Sequence, residues 1–496
     1  MRKRRIVTRL LHKDRIAASI SLVFSLLIAQ KIVAFGRGII FARLLGTEQY
    51  GIFTLGLFFV LITVSIAGLG ITASFGRYAP RYQGMGALRW FIRKAYVLNI
   101  SLALALGVIV FLFPSAFSRL LYNEPGQATV IMVAALAIPG MVVVRNLTTT
   151  LAGLKLFRAS SVLEFTQVAV FALLGGLLVV VYRSASVGLL AYGISMILCI
   201  PLFAPLLAGY LRTQEPVYKE SDEVGFYKRL LRFTMWFTIT PILGQIFNYV
   251  DRLSLQRLMT SSDQGIYSAA INLSATISAV GLAVNSVIYP HLSTAWEGGK
   301  RESALKNLDL AIRVTAIGLL AIGLVLVLLA EPIIVLLLGQ DYVAGAQALP
   351  WIVVFHILTI SLWLVGVYPS LVEKTYVLAI GPVCALPVNV LLNLFLIPRW
   401  GIVGAAVGTV VSYLILWFIT VRMCAAYGMP VKRRTVIVSF LPFVLLLPKL
   451  LAFAGVGLVI YICATKTWIV TADERQRVYR ELAAFIRRSR RPPEEE

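Results

Sequence analysis

Apolar runs of 18 residues or more, almost free of charge, recur along the whole length of this chain. Wound as a helix, a run of that length crosses the roughly 30 Å hydrocarbon layer of a bilayer. In lipid a backbone must satisfy its own polar groups, so a chain made of such runs folds as helix after helix. A β-barrel would show short alternating segments, and the runs here are continuous. Composition agrees, with 59% of the 496 residues hydrophobic and 14% charged, against roughly a quarter charged in soluble domains. The expected class is an all-α integral membrane protein.

The runs predict spans at residues 16–37, 51–73, 95–114, 128–151, 162–182, 187–211, 231–250, 266–289, 310–330, 346–370, 375–397 and 401–421. A last apolar block covers 435–465, too long for one ordinary helix and short for two.

The net charge of +24 raises the question of nucleic acid, and the placement of the charges answers it. They sit at span ends, as the positive-inside rule requires, rather than on a compact basic domain. With the N-terminus inside, 36 of the 46 Lys and Arg residues fall on the cytoplasmic face, 7 outside, and three (Lys31, Arg37, Arg145) within spans. This predicts a cytoplasmic-membrane protein with both termini in the cytoplasm. A single final span would carry the basic tail outside. The block at 435–465 therefore reads as a tight hairpin turning near Pro448-Lys449, for about fourteen spans in all. The tail opens with Thr471-Ala-Asp-Glu474, a capping-box pattern. Val478, Leu482, Phe485 and Ile486 then share a helical stripe among arginines, which reads either as an amphipathic helix on the inner leaflet or as a solvated basic tail. The basic run at 1–15 precedes an uncleaved first span, because no small-residue cleavage site follows. Cys199, Cys384, Cys424 and Cys463 show no paired spacing, so neither a disulfide framework nor a zinc site is expected.

Arg43-Leu-Leu-Gly-Thr-Glu-Gln-Tyr-Gly-Ile-Phe53 follows span 1, and Arg257-Leu-Met-Thr-Ser-Ser-Asp-Gln-Gly-Ile-Tyr267 follows span 7. At one common offset Arg, Leu, Gly and Ile coincide and Phe53 matches Tyr267. A parallel repeat of six spans explains this, with lobes at 1–215 and 216–425 related by an axis along the membrane normal. The hairpin at 426–466 and the basic tail at 467–496 complete the organisation. Two such lobes suit alternating access to a cavity between them.

Arg43-Leu-Leu-Gly-x-x-x-Tyr50-Gly51 with Gly68-Leu-Gly70 and Arg77 resembles the start of the polysaccharide transporter family. So do Asp251-Arg252 followed by Gly265-Ile-Tyr267, then Tyr289-Pro290, and Ile397-Pro-x-x-Gly401-Ile-x-Gly404-Ala-Ala406. That family belongs to the multidrug, oligosaccharidyl-lipid and polysaccharide exporter superfamily, and the resemblance covers the chain to about residue 425. It implies a flippase for a polyprenyl-diphosphate-linked oligosaccharide. Its partners would be that lipid-linked glycan, membrane lipids, and glycan polymerase or other assembly proteins. A lipid II flippase or a multidrug exporter of the same superfamily, and a membrane glycan polymerase or ligase, are the competing readings.

Charged residues inside spans are costly, roughly 2.5–3.5 kcal/mol each, so they mark function by default. Lys31, about fifteen residues into span 1, is the leading candidate for a diphosphate or sugar contact; its alternative is snorkelling or pairing with a buried acid. Arg37 lies near the outer mouth of the same helix and reads more readily as an interfacial cation. Arg145, in span 4, lies close enough to the inner surface to snorkel. Arg77 and Arg81 flank the inner end of span 2, where a diphosphate would arrive. Arg252, near the outer end of span 7, is a further candidate for the substrate; with the adjacent Asp251 it reads equally as a simple surface pair. Gln245, Asn248 and Asp251, each a turn apart, have oxygens suited to Na+ or H+ coupling. His356, near mid-membrane in span 10, titrates near neutral pH when unperturbed. Asn389 and Asn393 suit interhelical hydrogen bonds. No cofactor is expected. The chain lacks GKS/T and HExxH and has no large outer loop for an enzymatic site.

Overall fold

The computed structural model describes residues 16–213, 225–467, 469 and 471–476. The basic run at 1–15 and the stripe expected at 478–486 lie outside them. The described residues are helical and contain no strand.

The first helix, α1 (Ile16–Gly68), has 53 residues, about 80 Å if straight and more than twice the bilayer. Gly46, at φ 73° and ψ 173°, leaves the helical region and divides it into two spans. Only glycine adopts that conformation freely. Then follow α2 (Ile71–Gly84), α3 (Leu88–Leu112), a short α4 (Pro114–Tyr122) and a 3-10 turn at Pro125–Gln127. Next come α5 (Ala128–Gly153), α6 (Phe157–Tyr182) and α7 (Ala185–Arg212). The pattern then repeats. α8 (Phe226–Leu258) breaks off before α9 (Ser261–Glu297), and α10 (Arg301–Leu328) leads into a short α11 (Ala330–Leu337) and a second 3-10 turn at Gln340–Tyr342. After α12 (Gly345–Val365) and the short α13 (Val367–Leu371), α14 (Val377–Ala426) is another merged pair, broken at Gly401 with φ 55° and ψ −133°.

Among the described residues nine helices are long and apolar enough to span, and ten when α8, bent by 54° between Met235 and Phe237, counts as one span. Pro241 sits one turn beyond that bend, where its ring crowds the carbonyl four residues earlier. The breaks at Gly46 and Gly401 divide two of the ten, so the described residues hold the twelve core spans that the hydropathy predicts. Beyond them, α15 (Arg433–Phe440), a 3-10 stretch (Leu441–Leu446) and α16 (Lys449–Thr465) form the expected hairpin, turning at Leu447-Pro448. Its arms run about 24 and 25 Å, each short of the 30 Å layer. Outward residues such as Leu173, Val181, Leu336 and Leu450 are apolar and exposed, as a lipid-facing surface requires.

The chain forms two compact units. The first holds the described residues up to Asn272 with Val335–Val343 and Leu392–Ala405; the second holds Leu273–Ile334, Ala344–Leu391 and the described residues from Ala406 onward. In the first, Phe41 packs against Phe53 and Phe171, and Phe171 against Tyr192, with ring centroids 5.0–5.6 Å apart. In the second, Gly281 lies against Ile360 and Gly323 against Val353, so side chains of α12 seat on glycines of α9 and α10.

Within the first unit the two repeat motifs cross. A Cβ on Gly51 would lie 2.1 Å from the carbonyl oxygen of Ser261, and one on Gly265 would lie 1.9 Å from that of Thr47. Around this contact the hydroxyl of Thr54 donates to that of Ser268, which is 214 residues further on, at 3.4 Å. Ser262 donates to Thr47 at 2.7 Å, Gln264 to Thr54 at 3.1 Å, and the Asn272 amide to the Tyr50 hydroxyl at 2.7 Å. The repeat expected from short motifs is thus a reciprocal helix crossing.

Candidate functional site: arginines and tyrosines of the first unit

From Gly51 onward α1 is apolar except for small hydroxyl residues, and Ser65 is one of them. Its hydroxyl accepts from the Gln245 side-chain amide of α8 at 2.8 Å and from the Arg145 guanidinium of α5 at 3.4 Å. Arg145 therefore faces neighbouring helices. With Ser65, Gly68, Gly70, Thr72, Phe237, Thr238 and Pro241 it lines a cleft of about 260 Å3 of empty space. That space includes open solvent, and its enclosed part holds little more than a water molecule.

Two more arginines belong to the same unit. Arg37, on α1, places its guanidinium 4.2 Å from the centroid of Phe171. Arg252, on α8, is 7% exposed and lies 4.4 Å over the ring of Tyr249, which stacks on Phe58 at 4.4 Å. The buried Nε of Arg252 makes no hydrogen bond among the described residues. Tyrosines link the three cations: Tyr50 lies within electrostatic range of Arg37 and Arg252, and Tyr192 of Arg37 and Arg145. Among the described residues none of the three arginines has an ion-pair partner. Cations over aromatic faces gain about 0.5–2 kcal/mol, well short of what removing a guanidinium from water costs. The arrangement holds positive charge ready for an anion.

Lys31 is exposed on α1 with Glu164 of α6 as an electrostatic neighbour. Arg77 is exposed on α2 and lies 4.5 Å over the ring of Phe233. Beside it Tyr78, Arg81, Tyr82, Phe226, Arg229 and Leu230 line a second small cleft.

The three polar residues of α8 do not converge on one spot. Gln245 is engaged by Ser65. Asn248 is exposed. Asp251, 3% exposed, accepts from the Tyr267 hydroxyl at 2.6 Å and from the Arg252 backbone N–H at 2.8 Å. His356 belongs to the second unit, where its Nδ1 pairs with the Ser278 hydroxyl at 2.7 Å. Asn389 and Asn393 are buried, as interhelical polar residues should be. Sequence reasoning missed Ser65, Tyr50, Tyr192, Tyr249 and Phe171. Serines and tyrosines are common in spans, and no linear spacing sets these apart.

Residues 16–296 match the family model described as polysaccharide biosynthesis protein, more than half of the chain, and the protein belongs to that family. An uncharacterized membrane protein of Methanocaldococcus jannaschii is 23% identical over 78% of this chain and 79% of its own. A putative O-antigen transporter of Shigella flexneri is 24% identical over 40% of this chain and 49% of its own. Among solved structures the lipid II flippase MurJ, in an inward closed conformation, superposes with a TM-score of 0.71 at 15% identity, covering 93% of this chain and 99% of that one. The chain is a multi-pass membrane protein of the polysaccharide biosynthesis family.

Proposed function

We propose that the protein flips a polyprenyl-diphosphate-linked oligosaccharide across the cytoplasmic membrane for surface polysaccharide synthesis, by alternating access. The observation that carries this reading is the set of three arginines, Arg37, Arg145 and Arg252, that line spanning helices without ion-pair partners among the described residues. A diphosphate supplies the missing negative charge. Guanidinium groups bind phosphate oxygens through paired N–H donors. Carrying the bare headgroup through hydrocarbon would cost on the order of tens of kcal/mol, and a cationic, hydroxyl-rich path lowers that barrier. The tyrosine faces of the same group suit sugar rings. A cation exporter is disfavoured, because the cleft around Arg145 is lined by no carboxylate.

In this reading Arg77 receives the diphosphate as it arrives, and Lys31 contacts the headgroup from the edge. The distribution of Lys and Arg supports both termini lying in the cytoplasm. Coupling to Na+ or H+ would use Gln245, Asn248, Asp251 or His356. A polymerase or other assembly protein would take over the product.

The test is deletion in the native host with mass analysis of lipid-linked glycans. A complete repeat unit accumulating on its lipid carrier, with surface glycan lost, is the expected result. Unfinished glycans on the carrier would instead point to a synthetic step and overturn the proposal.

A further inference from the structure

The largest cluster of charged side chains outside the cleft sits in the second unit and serves no step of the transport reading. Arg313, on α10, has a side chain only 2% exposed. Its Nη2 meets Asp309 of the same helix at 2.8 Å. Its two terminal nitrogens grip Glu474 as a fork, Nη2 to Oε1 at 2.7 Å and Nη1 to Oε2 at 3.1 Å, and Nη1 also donates to the carbonyl of Ile469. Asp309 in turn accepts from Lys432 at 3.2 Å and from the Thr435 hydroxyl. Two residues of α10 thus hold both ends of the C-terminal hairpin: the start of α15 through Lys432 and Thr435, and the segment after α16 through Ile469 and Glu474.

That segment is shaped for the grip. The Thr471 backbone N–H donates to Glu474 Oε2 at 2.8 Å, and the Glu474 N–H donates to the Thr471 hydroxyl at 3.3 Å, which is the reciprocal capping box. Arg475 then folds back onto the end of α16, donating to the carbonyls of Ala464 and Lys466. The first repeat shows what α10 has given up. At the matching place on α3, Tyr96 and Asn99 pair with Thr150 and Asn146 of α5, at 3.0 Å each. There the tie is neutral and internal to the repeat; on α10 it is ionic and reaches into the extension.

We propose that Ile469 and the capping-box segment 471–475 act as a strap that locks the C-terminal hairpin onto the second repeat through the Arg313–Glu474 fork, so that hairpin and repeat move as one body. This does not depend on the substrate. The asymmetry between α3 and α10 follows from it: the buried Arg313 takes a second carboxylate from the strap, while Asp309 takes Lys432 from the start of α15.

Limited trypsin digestion of the purified full-length protein tests it, read by mass spectrometry as cleavage after Lys466. The strap predicts slow cleavage in the wild type and cleavage faster by about tenfold in Glu474→Gln, the loss expected for one charge-assisted hydrogen-bonding pair. Arg313→Met should do the same, and the double variant should be no faster than either single one. Wild-type cleavage rates in Glu474→Gln would overturn the proposal. So would strictly multiplicative effects in the double variant, since the two residues would then act separately.

Discussion

Gly51 and Gly265 face each other across a helix crossing in which each glycine's missing Cβ would strike the other segment's backbone, 2.1 Å from the Ser261 carbonyl oxygen and 1.9 Å from that of Thr47. Real Cβ contacts need well over 3 Å, so both positions exclude every other residue while the crossing is closed. Because the two glycines and their two carbonyl neighbours occupy equivalent places in the repeat, the contact is reciprocal. It is also hydrogen-bonded on its flank by Ser262 and Thr47, at 2.7 Å.

The alternating-access cycle proposed above would have to open and close this contact. Alanine would gain about 1 kcal/mol of helix propensity at an interior glycine, less than the roughly 1–3 kcal/mol that overpacking against backbone costs. Gly265→Ala is therefore expected to weaken the closed state and cut surface glycan while leaving protein abundance near normal. Cysteines at Thr47 and Ser262 should cross-link and stop glycan delivery until reduced. Full delivery by the cross-linked protein would show that the crossing stays shut throughout the cycle.

The arginines should differ from one another in a defined way. Arg145 has one long hydrogen bond, at 3.4 Å, and open space beside it. Its replacement by Ala removes a ligand contact without leaving a buried partner unpaired. Delivery of glycan should fall about tenfold or more, the worth of a charge-assisted hydrogen bond of about 1.5–3 kcal/mol, with unchanged thermal stability. Arg145→Lys should recover part of it, since a point charge replaces a fork. Arg252→Ala empties space over Tyr249 and should lower both delivery and melting temperature. Equal glycan in wild type and Arg145→Ala, measured on the cell surface, would remove the cleft from the transport path.

Lys31 looked, from its depth in span 1, like the strongest contact for the substrate. It lies exposed, with Glu164 as an electrostatic neighbour. Lys31→Ala is expected to reduce surface glycan less than Arg145→Ala does. Exchanging the two charges, Lys31→Glu with Glu164→Lys, should leave glycan as low as Lys31→Ala does. Full recovery on exchange would assign Lys31 to its pairing with Glu164 and remove it from the headgroup contacts.

The hydropathy of the chain reads out its architecture because span length is set by the bilayer, a constraint local in sequence. Twelve core spans, the hairpin turn at Pro448 and the capping box at Thr471 follow from that and from local turn chemistry. The repeat was legible as well, since Gly51 and Gly265 carry it in identical residues. What escaped was convergence. Arg145 lies near a span end, where snorkelling explains any cation, and only its pairing with Ser65 of another helix shows that it faces a cleft. Tyr192 and Tyr249 look like ordinary span aromatics until three cations gather on them. Asp309 and Arg313 stand four residues apart, as a surface ion pair on a helix would, and nothing local tells that Glu474 completes them from 161 residues away.

That last pairing carries a pH signature with a definite sign. Burial alone would push the Glu474 carboxyl up. The Arg313 fork, the Thr471 N–H and the nearby guanidinium charge outweigh it and hold the group at about 2, from an ordinary 4.5. A carboxyl depressed in the folded state contributes stability that is complete above its unfolded value and is lost as pH falls toward the folded one. The strap should therefore hold unchanged from pH 9 down to about pH 5 and loosen progressively below 4.5, toward 2. Hydrogen exchange at the Thr471 and Glu474 amides, corrected for its intrinsic pH dependence, measures this directly. Protection should be flat above pH 5 and fall below it in the wild type. In Glu474→Gln it should already be low at pH 7 and show no such fall. A loosening centred near pH 6 or 7 would assign the transition to another group and remove Glu474 from the role.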